Sequence, residues 1–114
     1  FGRPIGQNQG IQHPLAESWI ELEAALNLTM KAAWLYDNGR HCGAEANAAK
    51  FLGARAAYTA CERAVLTHGG LGYSKEYQVE RLFREAFVFR IAPVTEQLIL
   101  SYIAEKVLGQ KKSY

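Results

Sequence analysis

Cysteine is scarce in this 114-residue chain: Cys42 and Cys61 are the only two, and both fall in helix-like sequence. A disulfide framework is therefore not expected, and an intracellular location, the cytoplasm, is the simpler expectation. Long hydrophobic runs are missing too. The apolar stretches are only a few residues each, so no segment is expected to cross the roughly 20-residue span of a bilayer. Charge of one sign is not in excess, with 13 Lys and Arg against 11 Asp and Glu and a net charge of +2. The basic residues are scattered apart from Lys111 and Lys112. Neither nucleic acid nor an anionic membrane is called for as a partner. Val, Ile and Thr are too dispersed to propose strands. The opening FGRPIGQNQG lacks the charged and apolar regions of a signal peptide, and Phe1 in place of Met reads as a trimmed or internal start.

What is present is helical periodicity. With 49% hydrophobic and 21% charged residues, the chain reads as one all-α domain over residues 1–114, with one core. A first helix is expected from about Ile11 to about Asp37, where Leu15, Trp19, Leu22, Leu26, Met30 and Ala33 recur at spacings of three and four. That spacing predicts a buried stripe. Pro14 sits near the start, where a missing N–H does little harm, and Asn38-Gly39 supplies a left-handed stop. A second helix, about Ala44 to about Thr67, is rich in Ala and carries Gly53 in its middle, for which tight packing by a neighbour is the expected reason. It should end at His68-Gly69-Gly70-Leu71-Gly72, a run ill suited to a helix interior.

A third helix is expected from about Glu76 to about Arg90, with Val79, Leu82, Phe83, Ala86 and Phe87 inward. Glu80 with Arg84 and Arg81 with Glu85 form i, i+4 pairs on its exposed flank. After Pro93, Thr95 reads as the N-cap of a last helix running to Leu108 and closed by Gly109. Three long helices and one shorter helix on short connections define an up-and-down bundle. Trp19, Trp34, Tyr36, Tyr58 and Tyr102 are expected to stay partly exposed if a neighbouring element is missing.

Four motifs are less generic. Phe1-Gly2-Arg3-Pro4-Ile5-Gly6 with Gln9 resembles the FGxPIxxxQ segment of acyl-CoA dehydrogenases, and His68-Gly69-Gly70-Leu71-Gly72-Tyr73 resembles their GGxGY loop. Tyr77 to Ala86 is similar to their EYPVERLYRDA helix, and Thr95-Glu96-Gln97 falls where they have TxQ. The resemblance spans essentially the whole chain in the right order. It implies the flavin-contacting C-terminal helical domain of that family, beginning just after that domain's first helix and without the N-terminal helical and middle β domains.

The same resemblance implies a function. The complete enzyme would oxidise an acyl-CoA thioester to the 2,3-enoyl-CoA in fatty acid metabolism, pass electrons to an electron-transfer flavoprotein, and assemble as a homo-oligomer with FAD at a subunit boundary. Phe1 and Gln9 would lie along the FAD. Gly69 and Gly70 would let backbone N–H groups approach it, and Thr95 and Gln97 would meet it from the start of the last helix. Each position also has a plainer reading: Thr95 as an N-cap, Gly69 and Gly70 as helix-stop glycines. Leu66 stands where many members carry a Gln, so one hydrogen bond to the cofactor is lost.

The three histidines, His13, His41 and His68, match no metal-ligand spacing with the cysteines, and no metal is expected. Cys61 on its Ala-rich helix reads as an inert thiol.

The residue that should take a proton is absent. Many members carry a catalytic Glu just before TxQ, whereas here Pro93 occupies that place and can accept no proton. Glu96 is the nearest carboxylate, but a helix turn would aim it elsewhere and its place in a first turn gives it a structural reason to exist. No catalytic residue is therefore assigned within these 114 residues. Three arrangements stay open: a base on a helix upstream of Phe1, a partner subunit that supplies the active site, or a bundle kept for binding or assembly alone. The isolated chain is expected to turn over no acyl-CoA and to retain little or no FAD.

Overall fold

A computed structural model describes residues 2–113, and among them there is no strand. The chain forms α1 (Gln9–Asp37), α2 (Gly43–His68), a single turn α3 (Gly70–Tyr73), α4 (Val79–Ile91) and α5 (Glu96–Tyr102), which runs on into a π-helical turn at Ile103–Val107. Short 3-10 turns at Ile5–Gln7 and Lys75–Tyr77 precede α1 and α4. Only α1 and α2 are long. The expected third helix loses its first three residues to the 3-10 turn and a left-handed Gln78 (φ 55°), and the last one changes to wider turns after Tyr102.

The stop at Asn38-Gly39 forms as expected. Gly39, at φ 64°, donates its N–H to the Tyr36 carbonyl (2.9 Å), and Arg40 donates to Leu35 (2.9 Å), the paired bonds of a Schellman ending. At the other end α1 starts two residues earlier than expected. Pro14 is therefore its sixth residue, inside the helix, where the N–H it lacks would have met the Gly10 carbonyl.

The face of α1 that is covered is not the stripe the apolar residues predict. Buried or half-buried positions are Ile11, Pro14, Ser18, Glu21, Glu23, Ala25, Leu28, Ala32 and Leu35, and all but Glu23 follow a seven-residue repeat facing α2. Leu15, Trp19, Leu22, Leu26, Met30 and Ala33 form a second seam beside it and are exposed, Trp19 at 64% and Met30 at 61%. The small seam lets α2 approach closely, and nothing in the described residues covers the large one. Trp34 and Tyr36 are likewise exposed, as expected for a bundle lacking a member.

α2 is the middle of a row, packed by α1 on one side and by α4, α3 and α5 on the other, while α1 and α4 do not pack substantially against each other. The bundle is open. Its radius of gyration is 17.5 Å, against about 13 Å for a compact domain of this length. Its accessible surface, 8238 Å², exceeds by roughly 2,000 Å² that of a compact monomer of the same mass. Along the open side run two apolar grooves of about 530 and 290 Å³ that share Ala49 and Lys50, with Ala32, Ala33, Ala46, Gly53 and Ala57 among their walls. Gly53 has no atom within 4 Å of where a Cβ would stand, so no described residue supplies the tight packing expected there. Phe83 is half-buried on α4, and Leu82 and Phe87 remain about half exposed for the same lack of a neighbour.

The segment 79–107 reaches a mean hydropathy of 1.3 over its most apolar 18 residues, which by length and composition alone would admit a membrane span, contrary to the sequence expectation. It is not one continuous helix. The break over 92–95, with a cis Ala92–Pro93 peptide, leaves helices of 13 and 7 residues on either side, each shorter than the roughly 20 that a span needs.

Candidate functional site

The expected site residues fall in two places. Gln9 opens α1, and because α1 and α2 are antiparallel it shares one end of the row with Gly69 and Gly70 at the close of α2. The groove between these helix ends is lined by Gly10, Ile11, Pro14, Arg63, Leu66 and Thr67. Phe1 lies outside the described residues. Thr95 and Gln97 sit at the start of α5, which is tied to α2 at Arg55. Arg55 and Gly69 are 14 positions apart, about 21 Å at 1.5 Å per residue. One chain therefore presents two separate patches.

At the first patch the glycines have distinct jobs. Gly69 takes φ 59°, ψ −136°, a conformation closed to L side chains, and its N–H donates to Leu66 (3.1 Å) to end α2. Gly70 is exposed, with nothing within 4 Å of a Cβ position. Gly72 is the glycine demanded by packing: a Cβ there would overlap the Val65 carbonyl and stand 2.9 Å from the Val65 Cα. Sequence reading stopped α2 at this run and missed the turn of helix that folds Gly72 back onto Val65. Leu66 is exposed beside the patch.

The second patch is built by charge. Glu96 is only 6% exposed, and its carboxylate accepts from Arg90 Nε (2.7 Å) and Nη2 (3.2 Å) and from Arg55 Nη2 (3.1 Å) and Nε (3.3 Å). The hydrogen bond from Arg90, more than that from Arg55, holds the Glu96 carboxyl at about 2, against the penalty of burial. Arg90 lies 5.0 Å over the Tyr58 ring, which packs on Phe83 and Phe87 of α4 at 5.1 and 5.7 Å. Thr95 caps α5 by accepting the Leu98 N–H at 3.3 Å. A cavity of about 350 Å³ opens here between Phe87, Arg90, Ile91, Thr95, Glu96 and Gln97. The plain N-cap reading of Thr95 thus holds, and its position at the cavity is additional to it.

This donor set fits a flavin dinucleotide. The side-chain amides of Gln9 and Gln97 are exposed and make no hydrogen bond among the described residues, Gly70 is exposed with open space around it, and Arg90 brings positive charge to the second cavity. The one carboxylate nearby, Glu96, is neutralised by two guanidinium groups. Elsewhere, burial pushes the Cys61 thiol up, as suits an inert thiol. Among the described residues no three His, Cys, Asp or Glu side chains gather where a metal ion could be held.

An open row of helices, with a glycine turn at one end and a capped helix start beside a cavity, defines an all-helical domain. The sequence model described as acyl-CoA dehydrogenase, C-terminal domain, matches residues 1–108, and the chain belongs to that family. It is 44% identical over 116 aligned residues to the acyl-CoA dehydrogenase FadE12 of Mycobacterium tuberculosis, an alignment that covers 100% of this chain and 30% of the relative. Butyryl-CoA dehydrogenase from Megasphaera elsdenii shares its fold with a TM-score of 0.91 and 34% identity, covering 95% of this chain and 28% of that one. The FAD complex of PigA follows at a TM-score of 0.89 and 26% identity, over 94% of this chain and 28% of that one. The chain thus spans about 30% of the length of such relatives.

Proposed function

We propose that this chain is the cofactor-contacting and assembly part of an FAD-dependent acyl-CoA dehydrogenase, and that the proton acceptor of the reaction lies outside it. The observation that carries this is the state of the residues at the family's cofactor positions: the Gln9 and Gln97 side chains are on the surface with no hydrogen-bond partner among the described residues, and Gly70 is exposed with open space around it. FAD, when bound, supplies the oxidation by accepting the hydride that leaves the β-carbon of the acyl group. The residues described here orient it. Gln9 and the Gly69-Gly70 turn form one contact patch and Thr95 with Gln97 the other, and their separation along α2 suits one cofactor touched by two copies of the protein.

Nothing in the 92–97 segment takes the α-proton. Pro93 has no acceptor, and Glu96 is held ionised by two arginines, too weak a base for the task. The open side of the row, with its alanine and glycine floor, is the place for a preceding helix of the intact protein, and a base carried on that helix would leave Pro93 free to stand where it does. A partner subunit that supplies the base is the second reading, favoured by the same proline. The acyl-CoA thioester, an electron-transfer flavoprotein as acceptor, a homo-oligomeric assembly and a cytoplasmic location belong to this proposal.

The test is a visible spectrum of the intact parent protein before and after addition of acyl-CoAs of several chain lengths. A flavin band that bleaches with one of them is the expected result, and an intact protein that never holds flavin would overturn the proposal. The 114 residues alone should show no turnover.

A further inference from the structure

Glu96 is, among the described residues, the only charged residue that is buried, and it lines the second cavity between Thr95, the N-cap of α5, and Gln97. Its four hydrogen bonds come from two other helices, Arg55 of α2 and Arg90 of α4. Arg90 meets the carboxylate through two nitrogens and rests on the Tyr58 ring, so that pair has a defined orientation and not merely a defined distance. Successive residues of a helix are about 100° apart around its axis. Pinning Glu96 inward therefore sets the rotation of the whole first turn, with Gln97 left exposed and Thr95 at the lip. α5 itself is only seven residues long and follows a non-helical stretch; Ile99, buried at 2% exposure, anchors its middle, and Glu96 is the buried contact of its first turn.

We infer that Glu96 is a positioning residue for the flavin: clamped between Arg55 and Arg90, it aims Thr95 and Gln97 at the cofactor. This rests on the assignment of FAD to that surface. Without the clamp the first turn of α5 must be ordered when FAD binds, at a cost in affinity of about tenfold.

The test is a double-mutant cycle on FAD affinity in the intact parent protein, read by flavin fluorescence on the apoprotein refilled with FAD. Glu96→Gln should weaken FAD binding about tenfold, and Gln97→Ala should weaken it too. In the double variant the Glu96 change should add clearly less than about tenfold, because part of its effect acts through the residue already removed. Glu96→Asp, which keeps a carboxylate for one arginine, should recover part of the loss. Arg55→Gln removes a half-exposed partner and should weaken binding about threefold, with the same dependence on Gln97; it carries the test if Glu96→Gln does not fold. If Gln97→Ala matters but the effects simply multiply, or if Glu96→Gln and Arg55→Gln bind FAD like the native protein, Glu96 does not position the cofactor. If Thr95→Val and Gln97→Ala both leave affinity unchanged, FAD is not at this surface and both ideas fall.

Discussion

Replacing Glu96 by Gln should cost stability at neutral pH and cost nothing in strong acid. The carboxyl at about 2 lies well below an ordinary value of 4.5, a gap worth roughly 3.4 kcal/mol at about 1.36 kcal/mol per pH unit. That figure is an upper bound, since Arg55 and Arg90 are 51% and 34% exposed and solvent screens them. About 2 kcal/mol is a fair expectation. At about 3–5 °C per kcal/mol for a domain of this size, the variant should melt roughly 6–10 °C lower at pH 7. The sign with pH follows from the direction of the shift. A depressed carboxyl stabilises the fold fully above about 4.5, and the contribution is lost as the pH falls through the folded value near 2. Far-UV circular dichroism melts of both proteins at pH 7, 4 and 2 would measure it. Equal melting temperatures at pH 7, or a gap that persists undiminished at pH 2, would refute the clamp as drawn.

The glycine turn offers a paired contrast: Gly72→Ala should destabilise by about 2 kcal/mol because it presses on the Val65 backbone, whereas Gly70→Ala, with open space around it, should change stability by less than about 1 kcal/mol, both read from urea titrations. Removing Arg63, which reaches Ser18, Glu17 and Glu21 at 2.9, 2.7 and 3.2 Å, should cost about 1.5–2 kcal/mol; removing Arg84 from its exposed pair with Glu80 should cost no more than about 0.5. Gln78 holds φ 55° without being glycine, so Gln78→Gly should raise the melting temperature by a few degrees, relief of about 1 kcal/mol, less what the Arg81 bond at 3.0 Å contributes. Gln78→Pro cannot adopt that angle and should lower it.

Local stops and caps were legible because their chemistry is short-range. Asn38-Gly39 and Thr95 behave as their side chains and glycine freedom dictate, and the Glu80–Arg84 and Arg81–Glu85 pairs form at 2.8 and 2.7 Å. Which face of α1 is covered was not legible. A three-four spacing reveals that a face repeats, but α1 carries two such faces, and the one that α2 covers is made of Ser18, Ala25 and Ala32 rather than Trp19 and Leu26. Among the described residues nothing covers the larger ones. Gln78 gave no local warning of its left-handed angle, and the separation of the Gly69 and Thr95 patches depends on the length of α2, which motif order does not convey. The depth of Glu96 was also missed. The available signal was two arginines, Arg55 and Arg90, on opposing helices near a first-turn acid, and only the fold brings them together.

The seam between α1 and α2 repeats every seven residues in small side chains, so packing alone would tolerate a slip of one helix past the other by a full repeat. Such a slide moves side chains about 10.5 Å, enough to tear Arg63 from Glu17 and Glu21 at one end and Lys31 from Glu45 at the other. The three ion pairs at the two ends of the hairpin thus act less as glue than as a register mark, selecting one alignment from several that the alanines would accept.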